Sequence, residues 1–110
     1  MDSFGGGLGA HGEVCGAVIG GLAAIGLLFG RDTGGSQPDV KMWIYSREFL
    51  KRFQNEIAGG TLLCRDIAKV DWMDPNQVKD YRKGDKIALC RSLTGQTACL
   101  IGELIERARP

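Results

Sequence analysis

Four cysteines, at positions 15, 64, 90 and 99, are the residues of this 110-residue chain best suited to chemistry. No two of them form the CxxC pair of zinc ribbons or thioredoxin-like motifs, so their spacing alone does not define a site. Free cysteine is also among the most buried residue types. A structural or partner-binding helical domain with four inert thiols is therefore one alternative.

The two C-terminal cysteines are separated by nine positions. On one unbroken helix, nine steps of about 100° turn Cys90 and Cys99 to opposite faces. They could then share neither a ligand nor a disulfide, unless Thr94 and Gly95 interrupt the helix. We therefore expect one of the two to lie outside any site.

Other site chemistry has few candidates in this sequence. The single histidine, His11, is predicted to be a solvated loop residue, or alternatively a fourth ligand or a proton partner for Cys15. There is no CxxCH haem motif, and the glycine run at 5–9 lacks the GxxxxGK[ST] ending of a phosphate loop. Asp71 and Asp74 resemble turn and cap residues rather than a catalytic pair. Whether the chain is an enzyme stays open.

Composition predicts one folded domain over residues 1–110, with 44% hydrophobic and 25% charged residues. The net charge is only +1 and the signs are interspersed, so no nucleic-acid partner is expected. The first thirty residues carry no lysine or arginine, which argues against a secretory signal. A cytoplasmic location with reduced thiols is the expectation.

Residues 14–30 form an uncharged segment whose length is near the lower limit for spanning a bilayer. Glycines at 16 and 20, and again at 26 and 30, have the GxxxG spacing of closely packed helices. The alternatives are a membrane span and the central helix of a small bundle, covered on all sides. Five glycines lower the hydrophobicity of the segment and favour the buried helix.

The remaining elements must surround that helix. An amphipathic helix is predicted at 39–58, with Phe49 and Phe53 against the central helix and Trp43 widening its apolar stripe. A short helix should follow Thr61, another should run from Pro75 to Lys83, and a long one should begin at Asp85 with Leu89 on its buried side. No strand pattern is present in the sequence. The fold class predicted is an all-α bundle around a central Gly-rich apolar helix.

The glycine-rich opening and the apolar segment resemble the redox-active family labelled by a C…GCAxxG…C…C cysteine pattern. The similar segments are FGGG at 4–7, GEVCGAVIG at 12–20 and GLLFG at 26–30, followed by Phe49 with Phe53, Gly59-Gly60, Cys64-Arg65 and Cys90. The resemblance covers about residues 4–105. The domain is also similar to a part of the split-Soret cytochromes c, where it is associated with an iron–sulfur site.

The resemblance implies that Cys15, Cys64 and Cys90 are the cofactor-binding or metal-binding residues, and that Cys99 stands apart. It implies an iron–sulfur cluster for electron transfer or sensing, with zinc or no metal as alternatives. A dithiol/disulfide oxidoreductase is the alternative function. If the three sulfurs bind metal, they should lie at helix N-termini, where partial positive charge lowers thiol pKa.

The sequence also departs from the family pattern. It reads Cys15-Gly16-Ala17 where the family label has GCA, and it lacks the family's N-terminal helix with the first cysteine. The chain is then either a truncated or differently started member of the family, or one to which another subunit supplies the helix. We therefore expect a homo-oligomer, or a second chain that supplies the helix, besides a redox partner protein. Membrane association is not expected.

Overall fold

Five α-helices account for most of the described part of the chain, residues 2–31, 37 and 39–108, in a computed structural model. After a short 3-10 turn at Asp2–Phe4, the helices are α1 (Gly16–Phe29), α2 (Val40–Arg52), α3 (Cys64–Ala68), α4 (Pro75–Lys83) and α5 (Asp85–Ala108). A π-helical turn, Phe53–Ile57, extends α2. The predicted all-α fold class is confirmed.

Two helix starts follow directly from aspartate caps. The Lys41 backbone N–H donates to the side chain of Asp39 over 2.9 Å, and the Asn76 N–H donates to Asp74 over 2.9 Å. Such a cap satisfies one of the backbone donors that have no partner inside the helix. Helices α2 and α4 therefore begin where the sequence predicts.

The main core forms where α1, α2 and α5 pack together. Its largest fully buried side chains are Phe49, Phe53, Ile25, Leu104 and Val18. This arrangement includes the predicted packing of the Phe49 and Phe53 face against the apolar helix.

Gly21 sets the spacing between α1 and α2. A Cβ atom on Gly21 would lie 2.3 Å from Cζ of Phe49, whose side chain is fully buried. The close helix approach expected from the glycine spacing is thus present, but it centres on a glycine outside the GxxxG pairs.

Several predictions of burial fail at the margins of this core. Helix α1 begins at Gly16, whereas the apolar helix is predicted at about residues 13–30 as the most buried element, and it is covered on one face only, with Leu27 88% exposed. Trp43 and Leu89, both predicted to face the core, are exposed. The helical period places them at the edge of the buried stripe, where their side chains stay 55% and 67% exposed.

The longest uncharged segment folds into a helix of 14 residues. Among the residues that the structure describes, no helix has the length and apolar character needed to cross a membrane. Most of the predicted loop at 31–38, including Pro38, lies outside the described residues.

Candidate functional site

An isolated antiparallel bridge between Val14 and Leu63 brings the first two cysteines together. The Cys15 N–H donates to the Leu62 carbonyl over 2.8 Å, and the Cys64 N–H donates to the Glu13 carbonyl over 2.7 Å. In this register Cys15 lies opposite Leu62, two residues before Cys64. The two cysteines are therefore diagonal neighbours on one face of the paired segments.

Each of these two cysteines also marks the start of a helix. Cys15 is the N-cap residue of α1, and Cys64 is the first residue of α3. Cys90 lies in the second turn of α5, which packs against both α1 and α3. All three side chains line one cavity of about 560 Å³.

A glycine-rich loop covers Cys64 from the N-terminal side. Residues 6–10 all have positive φ angles, including +67° at Leu8 and +61° at Ala10. Gly7 has a φ of +72°, and a Cβ atom there would lie 2.6 Å from the Cys64 Cβ. Only glycine combines this conformation with so close an approach. The glycine run is thus a packing feature of the cysteine site.

Burial raises the pKa of Cys15 and of Cys64 above the ordinary thiol value of 9.0. A negative charge on Cys90 would raise both values further, and a charge on Cys15 would raise that of Cys64. Cys90 is therefore close enough to the other two cysteines to affect their ionisation. Backbone N–H groups at the start of α1 oppose the rise at Cys15 but do not outweigh burial. Cys15 and Cys64 thus lie at helix N-termini as predicted, but at both residues burial outweighs the contacts that lower the thiol pKa.

Two aromatic residues that the sequence analysis did not single out complete the site. Trp72 and Tyr81 meet edge to face, with ring centroids 4.9 Å apart. Burial, followed by the neighbouring Cys90 side chain, raises the pKa of the Tyr81 hydroxyl. Both rings pack on the small cluster around Cys64, and both line the cavity. No periodic pattern marks them, because they reach the cysteines only through the fold.

The indole N–H of Trp72 is buried and makes no full hydrogen bond within the part of the chain that the structure describes. It nevertheless faces the Cys64 sulfur closely enough to oppose the rise in the pKa of that thiol. A neutral thiol is a weak acceptor, which explains why a neighbouring donor gains little from it. A Cys64 thiolate would be a much better partner.

Cys99 and His11 lie outside the cavity that the three cysteines share. Helix α5 is unbroken at Thr94 and Gly95, so Cys99 projects from the opposite face, is exposed, and lines a separate groove with Arg52 and Glu103. The exposed ring of His11 lies 3.0 Å from the Gly9 carbonyl, measured from Nδ1, and lines a different cleft from the three cysteines.

All four cysteines are free thiols. Within residues 2–31, 37 and 39–108, no group of three or more His, Cys, Asp or Glu side chains is arranged to hold a metal ion. The three thiols are suitable ligands by chemistry, but they do not form a ready-made metal site in this arrangement. Their role as ligands stays a prediction.

Comparison with known proteins agrees with the cysteine pattern. The chain matches the family described as "Putative redox-active protein (C_GCAxxG_C_C)" over residues 1–104. No match is found among curated proteins or among solved structures. The family match covers nearly the whole chain and includes Cys15, Cys64 and Cys90. This chain therefore belongs to the C_GCAxxG_C_C family of redox-active proteins.

Proposed function

We propose that this protein is a thiol redox protein in which two of Cys15, Cys64 and Cys90 alternate between free thiols and an internal disulfide. The observation that carries the proposal is that all three line one cavity, in which Cys90 is close enough to affect the pKa of both Cys15 and Cys64. Buried thiols with no nearby partner would be inert. Here each has two potential partners across the same open space.

The proposed reaction is thiol–disulfide exchange with a disulfide substrate, R–S–S–R. One protein thiolate attacks a substrate sulfur, the S–S bond breaks, and the first R–S⁻ leaves and takes up a proton. A second protein thiolate then attacks the mixed disulfide and releases the second R–S⁻. The protein loses two electrons and two protons, and the substrate becomes two R–SH molecules.

Thiol counting and peptide mapping test this proposal. The reduced protein is treated with a disulfide under anaerobic conditions, the remaining thiols are alkylated, and the linked peptides are identified by mass spectrometry. We expect one intramolecular disulfide within the trio, formed equally well in the Cys99→Ser variant. A disulfide that requires Cys99, or oxidation that yields only linked pairs of chains, would contradict it.

Metal or iron–sulfur binding by the same trio is our second proposal. It is favoured by three thiol ligands facing one open cavity, which leaves a position for an external ligand. Because the described residues contain no ready-made three-ligand group, loading would require the three cysteine side chains to move closer together. When bound, a cluster would supply one-electron transfer.

Anaerobic reconstitution with ferrous iron and sulfide separates the two proposals. Visible absorption and retained iron after desalting, lost in Cys15→Ser, Cys64→Ser and Cys90→Ser but kept in Cys99→Ser, would support the cluster. Iron that washes away from the wild-type protein would contradict it. Equal retention by the serine variants of the trio would contradict it as well.

A further inference from the structure

The cavity that holds the three thiols has a lining without charge. Small-molecule pockets commonly enclose about 300–1,000 Å³, and this one has about 560 Å³. Among the described residues, no Asp, Glu, Lys, Arg or His lines it. Away from the sulfurs, its walls include Ala17 and Ala24 of α1 and Leu93, Ala98 and Ile101 of α5.

Most side-chain polar groups that line the cavity already interact with other groups of the protein. The Thr94 hydroxyl donates to the Cys90 carbonyl over 2.9 Å, and the Thr97 hydroxyl donates to the Leu93 carbonyl over 2.7 Å. The Tyr81 hydroxyl interacts with Cys90. Among these side-chain donors, the Trp72 N–H alone has no full partner, and it faces Cys64.

Cations close to the site do not enter the cavity. Arg91 is near enough to Tyr81 to affect its ionisation, but it is exposed and absent from the lining. Arg65 is exposed and is paired with Glu13 at 3.5 Å. A carboxylate carried past the exposed rim at Thr94 and Ala98 into the cavity would therefore lose its hydration without gaining a cationic partner among the described residues.

We propose that the site accepts a neutral, largely apolar disulfide and discriminates against disulfides that carry carboxylates, such as those of charged peptides. This inference rests on the proposed exchange reaction and names its substrate class. The apolar walls bind the substituents of such a substrate by burying their surface, while its sulfurs reach the thiols. Specificity arises because the carboxylate of a charged substrate finds no opposite charge in the cavity lining.

A matched pair of aromatic disulfides tests the proposal: para-dithiodibenzoate, with two carboxylates, and its neutral bis-amide. Each rate of protein disulfide formation is divided by the rate of the same probe with mercaptoethanol, which removes differences in intrinsic reactivity. We expect the normalised rate of the amide to exceed that of the carboxylate by about tenfold or more, because of unpaired charge burial.

A cation placed in the cavity should reverse this preference. Ala98→Lys is expected to raise the carboxylate rate at least severalfold, with Thr94→Lys as a second variant at the same wall. Gln96→Lys is the matched control, because Gln96 lies on the same helix but lines other clefts. It should leave the ratio unchanged.

Equal normalised rates for the two probes in the wild-type protein would overturn the inference, even if both produce the internal disulfide. A ratio that neither cavity lysine changes would also overturn it. If neither probe yields an internal disulfide, the proposed exchange function itself fails.

Discussion

At the scale of single residues, the contact between Trp72 and Cys64 affects how readily the Cys64 thiol ionises. The Trp72 N–H is buried, lacks a full hydrogen bond, and faces the sulfur whose pKa burial raises. Ionisation of Cys64 would convert this weak contact into a charge-assisted hydrogen bond. The indole group would then favour the thiolate at one member of the trio.

Replacing Trp72 with phenylalanine removes the donor and keeps an aromatic ring. We expect the pKa of Cys64 to rise further, so that its alkylation by iodoacetamide below that pKa slows by about threefold to tenfold. Peptide-resolved mass spectrometry across pH 7 to about 11 measures the profile. Trp43→Phe is the control, since Trp43 is exposed. An unchanged Cys64 profile in Trp72→Phe would refute this role.

The raised thiol pKa values also predict how stability depends on pH. Folding holds Cys15 and Cys64 protonated above the ordinary thiol value of 9.0. The unfolded chain ionises first, so this contribution is fully present below about pH 9 and is lost as pH rises through the folded pKa values.

Urea unfolding of the reduced protein tests the predicted direction of this pH dependence. The free energy of unfolding should fall from pH 8 to about 10.5, and less steeply in Cys64→Ala. Stability that increases over this range, or an identical slope in the variant, would contradict the assignment.

At the scale of elements, Gly21 controls how closely α1 approaches α2. Gly21→Ala would place a methyl group 2.3 Å from a fully buried phenylalanine ring. We expect a loss of about 1–3 kcal/mol in the free energy of unfolding, because overpacking forces the helices apart.

Gly26→Ala is the matched control on the same helix. A Cβ atom there meets nothing within 4 Å, and alanine favours a helix by about 1 kcal/mol over glycine. The control should therefore be neutral or stabilising in thermal and urea unfolding. Equal destabilisation by both substitutions would argue against close packing at Gly21.

The glycine loop is the second element with a measurable role. Gly7→Ala combines a positive φ angle with a Cβ contact 2.6 Å from Cys64, whereas Gly59→Ala has a similar φ angle of +71° and no neighbour within 4 Å. Both variants should lose about 1–2 kcal/mol in the free energy of unfolding, because alanine disfavours a positive φ angle. Gly7→Ala should lose more and change the alkylation rate of Cys64. Similar losses with unchanged Cys64 reactivity would count against the loop as a cover for this cysteine.

At the scale of the whole molecule, an apolar surface lies where the end of α1 meets the start of α2. The Asp39 N–H donates to the Phe29 carbonyl over 2.8 Å, so the two helix ends adjoin. The exposed apolar residues on these ends are Leu27, Leu28, Val40, Trp43 and Ile44. Large exposed apolar patches commonly mark interaction sites.

We expect a second copy of the chain to cover this surface. Sedimentation should reveal a dimer that the double substitution Leu27→Glu and Trp43→Glu weakens by at least about tenfold, since buried aromatic anchors dominate interfaces. Leu89→Glu, an exposed apolar position on α5, is the control. A wild-type protein that remains monomeric at high concentration would contradict the expectation.

Local chemistry in the sequence was sufficient to predict much of the fold. The aspartate caps of α2 and α4, the glycines that follow the π-helical extension of α2, and the apolar period of α5 all act within a few residues. The same helical period correctly predicted that Cys90 and Cys99 face opposite ways. The selection of Cys15, Cys64 and Cys90 required the family resemblance, because their spacing carries no motif.

Only the tertiary structure decided what surrounds those cysteines. Gly7 reaches Cys64 across a long sequence separation, next to the backbone bridge. Trp72 and Tyr81 reach the cysteines through the packing of α4 and α5 around the Cys64 cluster. Burial also determined the direction of the thiol pKa shifts, because desolvation outweighs the helix termini that the sequence suggested. Desolvation depends on every neighbouring chain segment at once, so no local pattern of residues could have predicted it.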